Sequence, residues 1–259
     1  MYPKLLHVYG SLWIYGYGVM IALGFVIYSY LLYRHPLRKK YLTDNIFFNT
    51  IFCGLIAGVI GGRVAFVMQH WDDFVQNPIE VFLPWIGGLV LLGAVLGALV
   101  AIYSYLSLHK IPILPVFDLA ALYAPLMQSV ARLGCFLAGC CYGSVAPDWL
   151  PWAVTFTNKD GVAPLNVPLH PSQIYTSLMF LGIFFVLRFL SKRFKKDGQL
   201  FCCYFAFEMM GRFVMDFWRG DQEAFSGLLS SPQVSALKGV AFAVVCFIVI
   251  SLIKKEQPK

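Results

Sequence analysis

The chain has 259 residues, of which 59% are hydrophobic and only 13% charged; its mean hydropathy is +0.70. A soluble domain carries about 25% charged residues, so the solvated surface such a domain needs is missing and most of the chain must face lipid or protein. The formal charge of +7 does not point to nucleic acid, because the basic residues sit in short clusters between apolar runs.

A membrane crossing needs roughly 20 apolar residues. Seven stretches qualify, at roughly 12–33, 45–69, 81–107, 115–139, 171–190, 199–218 and 234–253. The first opens near Leu12, with Lys4 the one basic residue before it and no small-residue cleavage site after it, so it reads as a retained span. Gly54, Gly58 and Gly62 recur every four residues in the second stretch, and Gly93 and Gly97 do so in the third beside Ala94 and Ala98. That spacing lets helix backbones approach closely in lipid; it fits a groove lined by thin helices and ordinary helix packing equally. The third stretch contains Gly87 and Gly88, where a bend or break is expected. Between the fourth and fifth lies the longest polar segment, about 141–169.

Basic residues orient the set, since cytoplasmic loops carry an excess of Lys and Arg. Arg34, Arg38, Lys39 and Lys40 follow the first span; Lys110 follows the third. Arg188, Lys192, Arg193, Lys195 and Lys196 fall at the end of the fifth, and Lys254, Lys255 and Lys259 follow the seventh. The opposite loops receive only Lys4, Lys159, Arg219 and Lys238. The expectation is an all-α integral membrane protein: a bundle of about seven transmembrane helices with a periplasmic N-terminus and a cytoplasmic C-terminus. Residues 1–259 form a single polytopic domain with a periplasmic segment at about 141–169.

Charges inside spans single out candidate functional residues. One at mid-membrane costs roughly 2.5–3.5 kcal/mol on insertion scales, yet Arg63, Arg132 and Arg212 each interrupt an apolar run. Guanidiniums gathered in one bundle need anions, and a lipid phosphate is one that arginine grips in a bidentate fork. Glu208, Arg212 and Asp216 are spaced four apart and Arg219 follows three later, a helical stripe of alternating sign. The stripe reads as a self-neutralising ladder, or as a frame holding Arg212 ready for an anionic headgroup. His170-Pro171-Ser172-Gln173 opens the fifth span at its outer end. A capping histidine explains that position, and so does a general base, since histidine takes up a proton near neutral pH. Cys135, Cys140 and Cys141 cluster, but a zinc site usually adds a second pair or histidines downstream; none follows, so tight packing or a disulfide is expected instead of a metal.

These residues resemble the motifs of the bacterial prolipoprotein diacylglyceryl transferase family over nearly the whole chain. Tyr17-Gly18-Val19-Met20 is similar to its first-span motif, Gly61-Gly62-Arg63 to the end of its second span, and Gly87-Gly88-Leu89 through Gly93 to its glycine-rich third-span motif. Arg132-Leu133-Gly134-Cys135-Phe136-Leu137-Ala138-Gly139 through Gly143 resembles the family signature. His170-Pro171-Ser172-Gln173-Ile174-Tyr175 resembles its HPxQxY element. Arg212-Phe213, Asp216-Phe217 and Arg219-Gly220-Asp221 resemble its RFxxEFxR element.

The resemblance implies a seven-span enzyme of the bacterial inner membrane that needs no cofactor. It moves diacylglycerol from phosphatidylglycerol to the lipobox cysteine thiol in the signal peptide of a preprolipoprotein, forming a thioether. On that model Arg132 and Arg212 hold the phosphate and His170 is a candidate base. Tyr17, Arg63, Gly87, Gly88, Gly134, Gly143, Gln173, Tyr175, Asp216 and Arg219 line the substrate site. The chain departs from the pattern at Leu92, where the family often has His or Tyr, and at Cys135, Ala138 and Cys140, where Asn, Asn and Glu are common. Leucine can neither donate nor accept a proton, so another group takes the thiol proton, arginine charge lowers the thiol pKa directly, or the chain is a non-catalytic scaffold or lipid-binding relative.

Overall fold

The computed structural model describes residues 3–9, 12–76, 78–83, 88–220 and 229–252. Strands β1 (Lys4–Tyr9) and β2 (Leu12–Tyr15) form an antiparallel hairpin. Then come α1 (Gly16–Arg34), α2 (Pro36–Tyr41), α3 (Asp44–Gln69), α4 (Trp71–Gln76), a 3-10 turn at Pro78–Phe82, α5 (Leu91–Leu108) and α6 (Ile113–Ala138). The short antiparallel pair β3 (Val154–Thr155) and β4 (Pro168–Leu169) precedes α7 (Ser172–Leu190) and α8 (Gln199–Met215), which runs into a 3-10 turn at Asp216–Trp218; α9 (Ser231–Leu252) follows.

Among the described residues, α1, α3, α5, α6, α7 and α9 are long and apolar enough to cross a membrane. Helix α8 has 17 residues and carries Glu208 and Arg212. The fold is that of an all-α integral membrane protein with two short β pairs added outside the helices. The first helix starts at Gly16 rather than near Leu12, because residues 12–15 pair with the preceding strand. The third stretch does break: a 3-10 turn takes its start and α5 begins only at Leu91, while Gly87 lies outside the described residues. Phe52, Ile56, Ile60 and Val100 are each more than half exposed, a surface suited to acyl chains.

The chain forms two compact units, one of residues 35–116 and one of residues 1–34 with 117–259. In the first, Thr43 Oγ1 caps α3 by accepting from Ile46 N at 3.4 Å. Arg38 is buried, bonded to Asp44 and to Leu42 O, with its guanidinium 5.5 Å from the Phe47 ring, which fixes the turn from α2 into α3. Around Gly61, Gly93 and Gly97, helices α3 and α5 meet backbone to backbone. A Cβ added at Gly61 would lie 2.4 Å from Gly93 O, and one at Gly97 2.4 Å from Ala57 O.

In the second unit α6 is the hub. A Cβ at Gly24 of α1 would lie 3.0 Å from Met127 O, and one at Gly134 of α6 would lie 3.2 Å from Tyr17 O, so α1 and α6 run antiparallel in close contact. Ser129 and Ser177 hydroxyls meet at 3.0 Å between α6 and α7. Gln128 Nε2 donates to Glu208 at 2.9 Å between α6 and α8. Such polar pairs join helices where lipid offers no alternative partner. Asp118 of α6 accepts from Gly198 N at 2.6 Å and Phe201 N at 2.7 Å, satisfying donors that the start of α8 leaves free. The segment after α6 is more than a polar loop: Phe156, Ala163 and Leu169 form a small buried core with Tyr142, Val154 and Val167 packed against it.

Candidate active site

Three motif segments far apart in sequence are stitched together by backbone hydrogen bonds. Gly143 N donates to His170 O at 3.1 Å and His170 N to Ser144 O at 3.0 Å. On the other side, Ser144 N donates to Trp218 O at 2.9 Å and Gly220 N to Tyr142 O at 3.3 Å. The strand-like residues 142–144 therefore lie between the start of α7 and the segment after α8. The fit excludes side chains: a Cβ at Gly143 would lie 2.4 Å from His170 O, and one at Gly220 2.6 Å from Gly143 O. Gly143 acts here by letting three backbones meet.

The ladder gathers the arginines. Arg212 has Arg219, Asp216, Arg132 and Cys141 as its electrostatic neighbours, and Glu208 has Arg132 and Arg212. Helix α8 ends at Met215, so the stripe Glu208–Arg212–Asp216 leaves the helix at its last member. Asp216 accepts from the Ser230 hydroxyl, tying the segment after α8 to the start of α9. Glu208 meets Gln128 rather than only its helical neighbours. The cluster of Arg132, Arg212 and Arg219 is more basic than two acids offset, which suits an anionic ligand.

The start of α7 clamps the end of the signature. Ser172 Oγ donates to Cys141 O at 2.7 Å and Gln173 Nε2 to Cys140 O at 2.9 Å. Gln173 is 1% exposed and its Oε1 has no partner among the described residues. Its visible work is to hold the signature backbone. Trp152 Nε1 donates to Tyr175 Oη at 2.7 Å, and Tyr175 Oη lies 3.3 Å from His170 Nδ1. Having accepted from Trp152, the Tyr175 hydroxyl can still either donate to Nδ1 or accept from it.

The three clustered cysteines are free thiols whose sulfur atoms all lie within 4.8 Å of one another. Cys135 ends the buried face of α6; Gly139, at φ 72°, and Cys141, at φ 54°, turn the chain back so that Cys140 and Cys141 face it. A left-handed residue other than glycine costs roughly 1–2 kcal/mol, offset here by the bonds of Ser172 and Gln173. Thiol hydrogen bonds from Cys135 and Cys140 hold the Cys141 thiol well below the ordinary cysteine range, with Arg132 and Arg219 adding to the effect. Tyr17, seated against Gly134, has all three cysteines and Arg132 as its electrostatic neighbours.

Arg63 and Gly88 belong to the other unit. The Arg63 guanidinium donates to Val81 O at 3.0 Å, Gly88 O at 3.5 Å and Glu80 O, and faces the rings of Phe66 and Phe74. It organises the approach to α5. Leu92 is exposed on α5. The sequence assigns no role to Ser144, Trp152, Ser172 or Gly220. Ser172 and Gly220 stand inside quoted motifs, but only the backbone ladder and the clamp give them and Ser144 a task, as the bond to Tyr175 does for Trp152.

These features define a multi-span membrane protein with a basic site beside a thiol cluster, built where three helix ends and one folded loop converge. The family model of the prolipoprotein diacylglyceryl transferases matches residues 3–249. A phosphatidylglycerol–prolipoprotein diacylglyceryl transferase of Clostridium tetani is 36% identical over 247 residues, covering 95% of this chain and 97% of that protein. One of Dehalococcoides mccartyi is 30% identical, covering 96% and 94%, and the second such protein of Clostridium perfringens is 32% identical, covering 85% and 84%. The chain belongs to the prolipoprotein diacylglyceryl transferase family.

Proposed function

We propose that this chain, a multi-pass protein of the bacterial cytoplasmic membrane, transfers the diacylglyceryl group of phosphatidylglycerol to the lipobox cysteine of preprolipoproteins. The reading is supported most by the convergence of Arg132, Arg212 and Arg219 beside the ladder of residues 142–144. Arg132 and Arg212 hold the phosphate and stabilise the charge that grows on it as the glycerol carbon–oxygen bond breaks, electrostatic catalysis by preorganised donors. Arg219 completes the anion site. Tyr17 and Tyr175 flank it; Gly134 and Gly143 admit the backbones that carry them, and Gln173 holds the signature in place. His170, as the Nε2–H tautomer, serves as a donor to the headgroup. The folded segment 141–169 faces the periplasm, where the peptide arrives.

The test is lipidation of a reporter lipoprotein in a transferase-depleted strain, followed by mass shift. Arg132→Lys and Arg212→Lys keep the charge and lose the fork, so each should slow transfer about 10- to 100-fold, the loss expected of one charge-assisted hydrogen bond. Normal turnover in both would remove the phosphate clamp. Leu92 favours a second reading, a lipid-binding relative without catalysis; phosphatidylglycerol binding with no lipidated product from wild type would select it.

A further inference from the structure

A thioether-forming transferase must turn a thiol into a thiolate, and the Leu92 side chain can neither donate nor accept a proton. His170 already shares its Nδ1 with the Tyr175 hydroxyl at 3.3 Å. Three facts of the fold bear on the gap. The sulfurs of Cys135, Cys140 and Cys141 lie within 4.8 Å of one another, while three thiolates around a tetrahedral ion at 2.3 Å stand about 3.8 Å apart. The loop carrying two of them is forced into the left-handed region at Cys141 and pinned by Ser172 and Gln173, so the grouping is imposed by the fold. And Arg132, Arg212 and Arg219 are the electrostatic neighbours of Cys141, placing positive charge beside what would be an anionic metal–thiolate centre.

We propose that Cys135, Cys140 and Cys141 form a three-thiolate site for one soft divalent ion of the zinc class, whose open fourth position takes the lipobox cysteine of the peptide as a thiolate. The proposal rests on the transferase reading and supplies its missing step. Three protein ligands with one open position is the pattern of catalytic rather than structural zinc, and a coordinated thiol is deprotonated outright. The peptide S–H bond breaks with its proton passing to solvent. The sulfur then attacks the glycerol carbon bearing the phosphate, the S–C bond forms as the C–O bond breaks, and glycerol phosphate leaves with the electron pair, held by the arginines. No electron is gained or lost overall. The downstream ligand pair whose absence argued against metal in the sequence is the mark of a closed structural site, which this one is not.

The experiment uses the full chain purified in detergent under reducing, anaerobic conditions, with zinc content measured by mass spectrometry and cobalt substituted for zinc. One ion per chain is expected, lost in the triple variant Cys135→Ser, Cys140→Ser, Cys141→Ser and bound at least tenfold more weakly in each single variant. The single variants and the wild-type measurement stand if the triple variant fails to fold. Adding a lipobox peptide should raise the thiolate-to-cobalt charge-transfer absorbance by about one third, as three sulfur ligands become four; the same peptide with serine at its cysteine should leave it unchanged. No stoichiometric metal in wild type, equal metal in the triple variant, or a cobalt spectrum indifferent to the cysteine peptide overturns the proposal. Full lipidation by metal-stripped wild type overturns it while leaving the transferase reading intact. A cobalt spectrum that answers to the cysteine peptide, with no lipidated product under any condition, keeps the thiol-binding metal site and sinks the transferase reading instead.

Discussion

At the scale of single residues, His170 separates two chemistries that the sequence leaves open. A base needs a free lone pair; a donor needs a proton pointing into the site. The proposed donor role needs Tyr175 Oη, which accepts from Trp152, to donate to Nδ1 so that the imidazole proton lies on Nε2, and glutamine at this position keeps a side-chain N–H donor. His170→Gln should therefore lower the transfer rate only a few-fold and leave the shape of its pH profile unchanged, whereas His170→Leu should cost about tenfold or more, the worth of a hydrogen bond to a charged group. A pH–rate comparison of the two variants with a lipobox peptide decides. A severe loss in His170→Gln that recovers at high pH, where thiolate forms unaided, would restore the base. Gln173 and Gly143 teach the complementary lesson. The resemblance implies a place in the substrate site for both, and the structure gives each a structural task besides: Gln173 donates to the Cys140 carbonyl and Gly143 lets three backbones meet.

At the scale of elements, hydropathy located the spans well because length and apolarity are local properties. The stretches at 45–69, 115–139 and 171–190 differ by no more than two residues at either end from α3, α6 and α7. What it could not locate depended on partners. Residues 12–15 are as apolar as a helix start but pair with 4–9, and the core of Phe156, Ala163 and Leu169 is assembled from a segment whose composition reads as polar. The small-residue spacing was read correctly as a close approach, yet the tightest point is Gly61 against Gly93 and Gly97, one position off the Gly54, Gly58, Gly62 register. That geometry makes a prediction. Gly61→Ala places a methyl 2.4 Å from a backbone oxygen, and overpacking of this kind costs typically 1–3 kcal/mol. The variant should unfold at lower temperature in detergent than wild type. Gly182→Ala, where a Cβ meets nothing within 4 Å, should not. Equal melting of both variants would mean that the crossing yields without cost.

At the scale of the whole molecule, the charge bias forecasts a side for each loop, and the larger unit carries contacts that bear on it independently. Lys4 pairs with Asp160 at 2.8 Å, so the N-terminal hairpin and the folded segment after α6 share one face; Asp216 and Ser230 add the turn from α8 to α9 to the end where the ladder joins that segment. At the other ends of these helices, Asp118 meets Gly198, while Gln199 Nε2 donates to Ser251 Oγ at 2.9 Å, which groups the starts of α6 and α8 with the end of α9. Within this unit the N-terminal hairpin and the end of α9 therefore lie at opposite ends of the helices. Lys192, Arg193, Lys195 and Lys196 lie in the loop at the second end, while the loops and helix ends outside the arginine cluster contribute Lys4, Lys159 and Lys238 at the first, so the positive-inside rule predicts a cytoplasmic second end. Cysteines introduced one at a time into a background whose native cysteines do not react test this directly with a membrane-impermeant maleimide. Asp148→Cys should label in cells with a permeable outer layer and an intact inner membrane, and Lys195→Cys only after that membrane is opened. The reverse pattern would invert the protein, putting the arginine cluster and the sulfur site on the cytoplasmic side and removing the periplasmic entry of the peptide. Labelling of both positions in intact cells would instead break the grouping of helix ends, since no span would then separate the two faces.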